Sequence, residues 1–239
     1  MKGVILAGGL ATRLYPLTYA TNKHLLPVYD KPMVFYPIQT LVNAGIKEVL
    51  IISSGPHAGH FIGVLKNGKE LGLSHIEYAY QENPKGGIGD ALSLAEDFAD
   101  GEPLAVILGD NTTDEDISKA VSSFSEGATI FLHKVKNPER FGVPRFDPED
   151  HSKIAEIIEK PENPPSDYAV TGLYIYDNQV FDFIRQCEPS KRGELEITDV
   201  NNYYIQKGQL RWSELGFWID AGTFESLYEA NSYWAKKAA

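Results

Sequence analysis

The chain begins with the apolar run Gly3-Val4-Ile5-Leu6-Ala7, which leads directly into Gly8-Gly9-Leu10-Ala11-Thr12-Arg13-Leu14. A short apolar run that ends in glycines is typical of a buried strand followed by a turn. Two adjacent glycines let the backbone turn tightly and expose N–H groups, because no Cβ blocks the approach of a phosphate. We predict an α/β fold whose first loop receives phosphate groups, with Arg13 and Lys23 adding positive charge where a helix begins.

This loop matches neither of the two common nucleotide motifs. A P-loop requires Gly-x-x-x-x-Gly-Lys-Ser/Thr, and a dinucleotide-binding loop requires Gly-x-Gly-x-x-Gly. The alternative is a strand-to-helix turn that happens to contain glycines, with both cations solvated. The loop by itself leaves both interpretations open.

Composition limits the class of protein. The 239 residues are 43% hydrophobic, which suffices for the core of one large domain, and a single domain over residues 1–239 is our preference. The formal charge of −11 argues against a nucleic-acid partner and requires any phosphate site to concentrate positive charge locally. The single cysteine, Cys187, excludes an internal disulfide and a zinc site of several cysteines.

The N-terminus predicts the location of the protein. Met1-Lys2-Gly3 passes directly into a strand, which leaves no signal peptide. No apolar run approaches the roughly 20 residues that cross a bilayer. We therefore expect a soluble, cytoplasmic protein with no membrane partner.

Strand-like and helix-like segments alternate along the first half of the chain. Residues 4–6, 48–52, 76–80 and 104–108 read as buried strands, and residues 33–45, 58–65 and 91–98 have helical periodicity. This alternation predicts a mostly parallel, Rossmann-like open sheet with helices on both faces.

The second half is richer in strands. Residues 129–135, 143–146, 154–160 and 168–176 are strand-like and are separated by proline and aspartate turns. We expect this half to extend the sheet and to place a β-rich lid or platform over its carboxyl edge.

Two carboxylates follow apolar runs and are candidate metal ligands. Asp110 stands at the carboxyl end of the strand at 104–108, where open α/β sheets bind ligands. Asp220 also follows an apolar run and precedes a turn at Gly222. Mg²⁺ prefers one or two carboxylates plus substrate phosphates, so this pair predicts a magnesium site. The alternative for Asp110 alone is a capping residue. His57 and His60 lack the additional ligands of a zinc site.

Three further segments suit a sugar phosphate. Glu159 and Lys160 end a strand, where the carboxylate could accept from sugar hydroxyls and the ammonium could meet a phosphate; the alternative is an exposed ion pair. Gly172 in the strand at 168–176 marks either a close ligand approach or a bulge in a core strand. Arg192 on a polar loop could reach a phosphate or could be merely solvated.

Seven segments, in order, carry a resemblance to a known family. The chain is similar to the sugar-1-phosphate nucleotidyltransferases, and within them to the thymidylyltransferases that act on glucose 1-phosphate. The segments are residues 8–13, 23–33, 108–111, 159–161, 169–174, 192–199 and 220–223. The resemblance runs from residue 1 to about residue 230 and implies the fold of the nucleotide-diphospho-sugar transferases with a β-rich sugar-binding extension.

The resemblance implies a Mg²⁺-dependent reaction of dTTP with glucose 1-phosphate that yields dTDP-glucose and pyrophosphate for deoxysugar (rhamnose-type) and polysaccharide biosynthesis. It implies a nucleotide-binding half at about 1–110, a sugar-binding half at about 111–239, and a homotetramer. Arg13 and Lys23 would be catalytic, and Asp110 and Asp220 would hold the metal. The implied nucleotide contacts are Leu6, Ala7, Gly8, Gly9, Gln81, Pro84, Gly86 and Asp110. The implied sugar-phosphate contacts are Asn111, Gly142, Glu159, Lys160, Val170, Tyr174 and Arg192.

The sequence departs from the family pattern at three places. Ala11 stands where the family usually has glycine, and His24 stands where it usually has glutamine. Around residues 86–89 the register is ambiguous by one residue. Longer members carry further C-terminal helices that help form a regulatory nucleotide site, and from this comparison we expect inhibition by dTDP-rhamnose to be weak or purely competitive.

Two other functions stay open at this point. One is a uridylyltransferase or a transferase for another sugar phosphate, since the methyl group of thymine is a small discriminator. The other is a nucleotide-sugar sensor without turnover, which should lack Arg13, Lys23 or one of the two aspartates.

Overall fold

Buried apolar runs and short turns divide residues 1–238, the part that this computed structural model describes, into short strands and helices. The strands are β1 Lys2–Ala7, β2 Pro27–Val28, β3 Lys31–Pro32, β4 Glu48–Ser53, β5 His75–Tyr80, β6 Leu104–Leu108, β7 Asn111–Thr112, β8 Ala128–Lys134, β9 Gly142–Phe146, β10 Ile154–Glu159, β11 Tyr168–Tyr176, β12 Leu210–Glu214 and β13 Ile219–Asp220. The α-helices are α1 Phe35–Asn43, α2 His60–Leu65, α3 Gly87–Ser93, α4 Glu96–Ala99, α5 Ser118–Ser123, α6 Gln179–Gln186, α7 Ile197–Gln206 and α8 Phe224–Ala238.

A seven-stranded sheet forms the centre in the order β12-β8-β11-β6-β1-β4-β5. Strand β1 is parallel to both of its neighbours, β4 and β6, whereas β11 is antiparallel to β6 and β8. The predicted mostly parallel open sheet is therefore confirmed.

Side chains of β1 alternate between two apolar layers, as a strand buried on both faces requires. Leu6 lies in the layer that contains Leu92 of α3 and Val200 of α7, while Ile5 lies in the layer of Ile38 of α1 and Phe61 of α2. Helices thus cover both faces, as predicted. Among the helices of residues 1–238, none has both the length and the apolar character to traverse a bilayer.

The segment after β1 differs from the prediction. No α-helix begins near Arg13; three 3₁₀ turns at Thr12–Leu14, Leu17–Tyr19 and Lys23–Leu25 follow the loop, and the first α-helix starts at Phe35. Pro16 offers no N–H to a helix and disfavours helical geometry in the residue before it, which explains the interruption.

The predicted helix at residues 91–98 is also wrong as a single element. Its residues fall in α3 and α4, and the N–H groups of Leu94 and Ala95 bond to carbonyls three residues back instead of four. The chain tightens between the two helices, so the continuous periodicity of the sequence hides a break.

The second half adds to the sheet and to its carboxyl edge. Strands β8, β11 and β12 extend the central sheet, while β9 and β10 pair as an antiparallel hairpin. Gly142 of β9 and Glu159 of β10 line the cavity at the carboxyl edge, where the lid or platform was expected. The short strands β7 and β13 pair with each other and join distant parts of the chain.

Candidate active site

A cavity of about 330 Å³ lies at the carboxyl ends of β1 and β6, the edge where open α/β sheets bind ligands. It gathers all but two of the predicted site residues. Those that line it are Leu6, Gly8, Gly9, Arg13, Lys23, Gln81, Pro84, Asp110, Asn111, Gly142, Glu159, Lys160, Val170, Tyr174, Arg192 and Asp220.

The two exceptions are Ala7 and Gly86. Ala7 is fully buried, and its carbonyl accepts a hydrogen bond from Asn22 Nδ2 at 3.2 Å. The Gly86 carbonyl accepts from the Leu195 N–H at 2.8 Å, and Gly87 lines the cavity in its place.

The glycines of the first loop serve close approach and a left-handed turn. A Cβ on Gly8 would lie 2.9 Å from Gln81 Oε1 and 3.0 Å from Ser54 Oγ, which is tighter than packing allows. Gly9 has φ +91°, and its N–H donates to Ser54 Oγ at 2.8 Å, so this donor is already engaged within the protein. Ala11 adopts the left-handed conformation, with φ 52° and ψ 33°. The chain therefore keeps at Ala11 a backbone geometry that glycine adopts more easily.

Asp110 is held by two neighbours at the end of β6. Lys23 Nζ forms an ion pair with its Oδ2 atom, and Asn111 Nδ2 donates to Oδ1 at 3.0 Å. Burial opposes ionisation, but the Lys23 charge and these hydrogen bonds outweigh it and lower the pKa of Asp110 below its usual value. Asp110 is therefore a carboxylate at neutral pH.

Asp220 reaches the same place through backbone pairing. It lies opposite Asn111 in the β7–β13 ladder, and the Ala221 N–H donates to the Asp110 carbonyl at 2.9 Å. A Cβ on Gly222 would lie 2.8 Å from Asp220 Oδ1 and 3.3 Å from Asp110 Oδ2. The two predicted carboxylates thus face one small region.

The same region contains Arg13, whose Nη2 atom would lie 3.3 Å from that Gly222 Cβ. Burial and then the charge of Asp110 raise the pKa of Asp220, while Lys23 and Arg13 oppose the rise. Two carboxylates that repel each other are a fitting pair for a divalent cation. Within residues 1–238 no third histidine, cysteine or acidic ligand joins them, which suits a hard cation that also binds substrate phosphates.

Glu159 is the centre of the polar group on the opposite side of the cavity. Its Oε2 atom accepts from Thr198 Oγ1 at 2.6 Å, and its Oε1 atom lies 3.2 Å from Lys160 Nζ and 3.3 Å from Arg192 Nη2. Arg192 also pairs with Glu196 at 2.8 Å. Lys160 has φ 45°, a conformation that costs energy in a non-glycine residue and often occurs at functional sites.

Gly172 lies at a bulge of its strand, as one of its two interpretations predicts. The register between β11 and β8 shifts between Val170 and Tyr174, as in a bulge, and Gly172 also lines the cavity. A Cβ there would lie 2.6 Å from Asn111 Oδ1, the atom that accepts from the Gly172 N–H at 2.9 Å and from Trp218 Nε1 at 2.6 Å. These two hydrogen bonds fix the Asn111 side chain, whose Nδ2 atom in turn orients Asp110.

The cavity lining carries a small excess of positive charge, in contrast to the chain as a whole. Against a chain charge of −11, the lining holds more cations than carboxylates. The cations are Arg13, Lys23, Lys85, Arg140, Lys160 and Arg192, and the carboxylates are Asp110, Glu159, Glu194, Glu196 and Asp220.

Several lining residues were not predicted. Glu196 and Thr198 stand within a segment that carried the resemblance, and Trp218 lies just before another, but only contacts across the fold reveal their positions. His24 is fully enclosed, with Nδ1 2.6 Å from Asn22 Oδ1. Burial and then the nearby Lys23 charge lower the pKa of His24 to about 3, so this imidazole is neutral.

Comparison with known proteins agrees with this geometry. The model of the nucleotidyl transferase family matches residues 2–237. The chain belongs to the nucleotidyl transferase family. Members of this family use a divalent metal ion, and Asp110 and Asp220 form the carboxylate pair that fits one.

Individual nucleotidyl transferases are similar over nearly the whole chain. A glucose-1-phosphate thymidylyltransferase of Neisseria meningitidis serogroup A is 45% identical over 98% of this chain and 82% of its own length. One from Mycobacterium tuberculosis is 41% identical with the same coverage of both chains. A Bacillus anthracis structure with sucrose, described as a candidate glucose-1-phosphate thymidylyltransferase, has a TM-score of 0.91 and 46% identity, covering 98% of this chain and 94% of that one.

A more distant nucleotidyl transferase shares the fold. The crystal structure of a UDP-glucose pyrophosphorylase complexed with UDP-glucose has a TM-score of 0.84 and 25% identity, and covers 99% of this chain and 98% of its own.

Proposed function

We propose that the protein transfers the thymidylyl group of dTTP to glucose 1-phosphate, giving dTDP-glucose and pyrophosphate. The observation that carries the proposal is the Asp110 and Asp220 pair, set beside Lys23 and Arg13 in a cavity whose other side holds Glu159. The names of the relatives at 41–46% identity support the choice of substrates.

The reaction joins two phosphates and needs little covalent help from the protein. An oxygen of the glucose 1-phosphate phosphate bonds to the α-phosphorus of dTTP, and the bond from that phosphorus to the β-bridging oxygen breaks. Pyrophosphate departs with the electron pair of that bond. The protein's part is to align the two phosphates and to stabilise the charge that develops between them.

Asp110 and Asp220 would hold Mg²⁺, which when bound neutralises charge on the phosphates. Arg13 is exposed at the rim and extends toward the two aspartates, so it is free to bind the triphosphate and the departing pyrophosphate. Lys23 already pairs with Asp110. We assign the Lys23 ammonium a second role, which is to bind the triphosphate.

The sugar phosphate is assigned to the opposite side. Lys160 and Arg192 supply the positive charge, and Glu159 between them can accept from sugar hydroxyls. The glucose itself would lie against Asn111, Gly142, Val170 and Tyr174, which also line the cavity. Residues 1–110 would thus serve mainly the nucleotide and residues 111–239 mainly the sugar, in what we propose is a homotetramer.

The nucleobase is assigned to Gln81, Pro84 and the adjoining glycine segment. Gln81 lines the cavity beside Gly8, so its side-chain amide can pair with the edge of a pyrimidine. A sensor without turnover is disfavoured, because Arg13, Lys23, Asp110 and Asp220 are all present and all line the cavity. A uridylyltransferase has only the more distant structural likeness in its favour.

A substrate panel tests the proposal. Pyrophosphate release is measured with dTTP, UTP, dCTP, ATP and GTP, each with glucose 1-phosphate, galactose 1-phosphate and mannose 1-phosphate, with and without Mg²⁺. We expect the highest kcat/KM for dTTP with glucose 1-phosphate and no release without a divalent metal ion. Binding without release for every pair would instead support a sensor, and preference for UTP would support a uridylyltransferase.

A further inference from the structure

The Gln81 side chain is held in one orientation by hydrogen bonds to Asp90 and to the Gly87 backbone. Asp90 is not among the residues assigned above to nucleotide binding. The Gln81 side chain is buried, with 4% of its surface exposed. The Nε2 atom donates to Asp90 Oδ2 at 2.7 Å and lies 3.3 Å from the carbonyl oxygen of Gly87. Both partners lie within the segment that carries α3.

The chemistry of these partners decides which way the amide faces. A carboxylate and a backbone carbonyl only accept hydrogen bonds, so the amide nitrogen must point at them. The Oε1 atom then points away from Asp90 and toward Gly8, where a Cβ would lie only 2.9 Å from it. Since Gln81 and Gly8 both line the cavity, the polar atom left to meet a ligand is an acceptor.

Gly86 makes this arrangement possible. A Cβ at Gly86 would lie 2.2 Å from Asp90 Oδ2 and 2.4 Å from the Asp90 carboxyl carbon, so any larger residue would displace that side chain. This contact gives Gly86 a role although it does not line the cavity. The glycine admits Asp90, and Asp90 orients Gln81.

We propose that Asp90 is a positioning residue that makes Gln81 select pyrimidines with a hydrogen-bond donor at N3, and so reject cytosine. Thymine and uracil carry N3–H, which the Gln81 oxygen can accept. Cytosine has an unprotonated N3 in that place, so two acceptors would face each other and a buried group would stay unpaired. The proposal rests on the proposed function, because it takes the cavity's nucleotide to be a pyrimidine triphosphate.

Asparagine at position 90 would weaken the selection while keeping the size of the side chain. An asparagine can accept from the Gln81 nitrogen or donate to the Gln81 oxygen, so only the Gly87 carbonyl, 3.3 Å from that nitrogen, still favours the original orientation of the amide. Discrimination should then weaken although the cavity keeps its shape.

Equilibrium titration of dTTP and dCTP in the presence of Mg²⁺ tests the proposal by calorimetry. We expect the wild type to bind dTTP at least about a hundredfold more tightly than dCTP, as sites built around a specific hydrogen bond do. In Asp90→Asn this ratio should fall about tenfold or more. Asp97→Asn, an exposed residue of α4, makes the same charge change and should leave the ratio unaltered.

Two further measurements keep the test decisive. The methyl group of Gly86→Ala would displace the Asp90 side chain, so this variant should also lower the ratio of dTTP affinity to dCTP affinity. It provides the test if Asp90→Asn does not fold. For Asp90→Asn with dTTP, the KM should change more than kcat, since a positioning residue on the base does not touch the reacting phosphates.

A wild-type protein that binds dTTP and dCTP equally, or a folded Asp90→Asn with the wild-type ratio, overturns the proposal. The same preparations are assayed for pyrophosphate release with glucose 1-phosphate. A protein that selects dTTP through Asp90 but releases no pyrophosphate contradicts the proposed function alone.

Discussion

Asp220 lies directly opposite Asn111 in the two-residue ladder of β7 and β13, and this pairing brings Asp220 to the side of Asp110. The two carboxylates stand far apart in sequence, yet both face the region beside Gly222. The ladder is therefore the structural basis of the proposed metal site, and changes at either aspartate should affect activity in the same direction but stability in opposite directions.

Asp110→Asn and Asp220→Asn should each lower turnover at least about a hundredfold, because each removes half of the protein's share of the metal ligands. Steady-state pyrophosphate release at saturating Mg²⁺ measures this. Near-wild-type turnover in either variant would exclude the two-carboxylate assignment.

The stability of the metal-free protein separates the same two variants. The folded-state pKa of Asp220 is raised, so its ionised form weakens the fold at neutral pH and becomes less costly as the pH falls. Asp220→Asn should leave stability equal or higher at pH 7. The lowered pKa of Asp110 reflects its Lys23 partner, so Asp110→Asn, which leaves the Lys23 charge without that partner, should cost about 3–5 kcal/mol. Urea unfolding with a chelator present gives the free energy of unfolding of each variant, and so shows whether it rises or falls.

Arg13→Ala and Lys160→Ala should impair different steady-state parameters of the reaction. Arg13 extends toward the aspartates and Lys160 pairs with Glu159, so the two cations are assigned to different substrates. We expect Arg13→Ala to lower kcat mainly and Lys160→Ala to raise mainly the KM for glucose 1-phosphate. Equal effects of both changes on both substrates would show that this division of roles is mistaken.

Ala11→Gly should stabilise the protein by about 0.5–1 kcal/mol. Ala11 has φ 52°, a conformation that costs an alanine about 1–2 kcal/mol, and the gain is partly offset by the greater freedom of glycine in the unfolded chain. Urea unfolding gives the difference, with Ala58→Gly in a turn as the matched control. A loss of stability in Ala11→Gly would contradict the strain argument.

Cys187 should react slowly with thiol reagents at pH 7–8. Partial burial and then the charge of Asp199 raise its pKa to about 11, which keeps the thiolate, the reactive form, scarce. The alkylation rate should still be rising at pH 10, and a plateau near pH 8–9 would show an ordinary, exposed thiol.

How much the sequence predicts depends on the kind of signal. Strands β6 and β11 occupy the predicted residues 104–108 and 168–176, because continuous apolar runs mark strands that are buried on both faces. Strands β7 and β13 are two residues each and have no periodicity to detect, although the chemistry of Asp110 and Asp220 still indicated their meeting. Polar α7 and the proline-interrupted turns before α1 escaped prediction because tertiary contacts and prolines outweigh local patterns there.

³¹P NMR of a mixture of the protein, Mg²⁺, dTTP and glucose 1-phosphate shows most directly which bonds form and break in this cavity. We expect dTDP-glucose and pyrophosphate to appear together in equal amounts and only when all components are present. Release of inorganic phosphate with dTDP, or dTTP and glucose 1-phosphate remaining unchanged, would contradict this expectation.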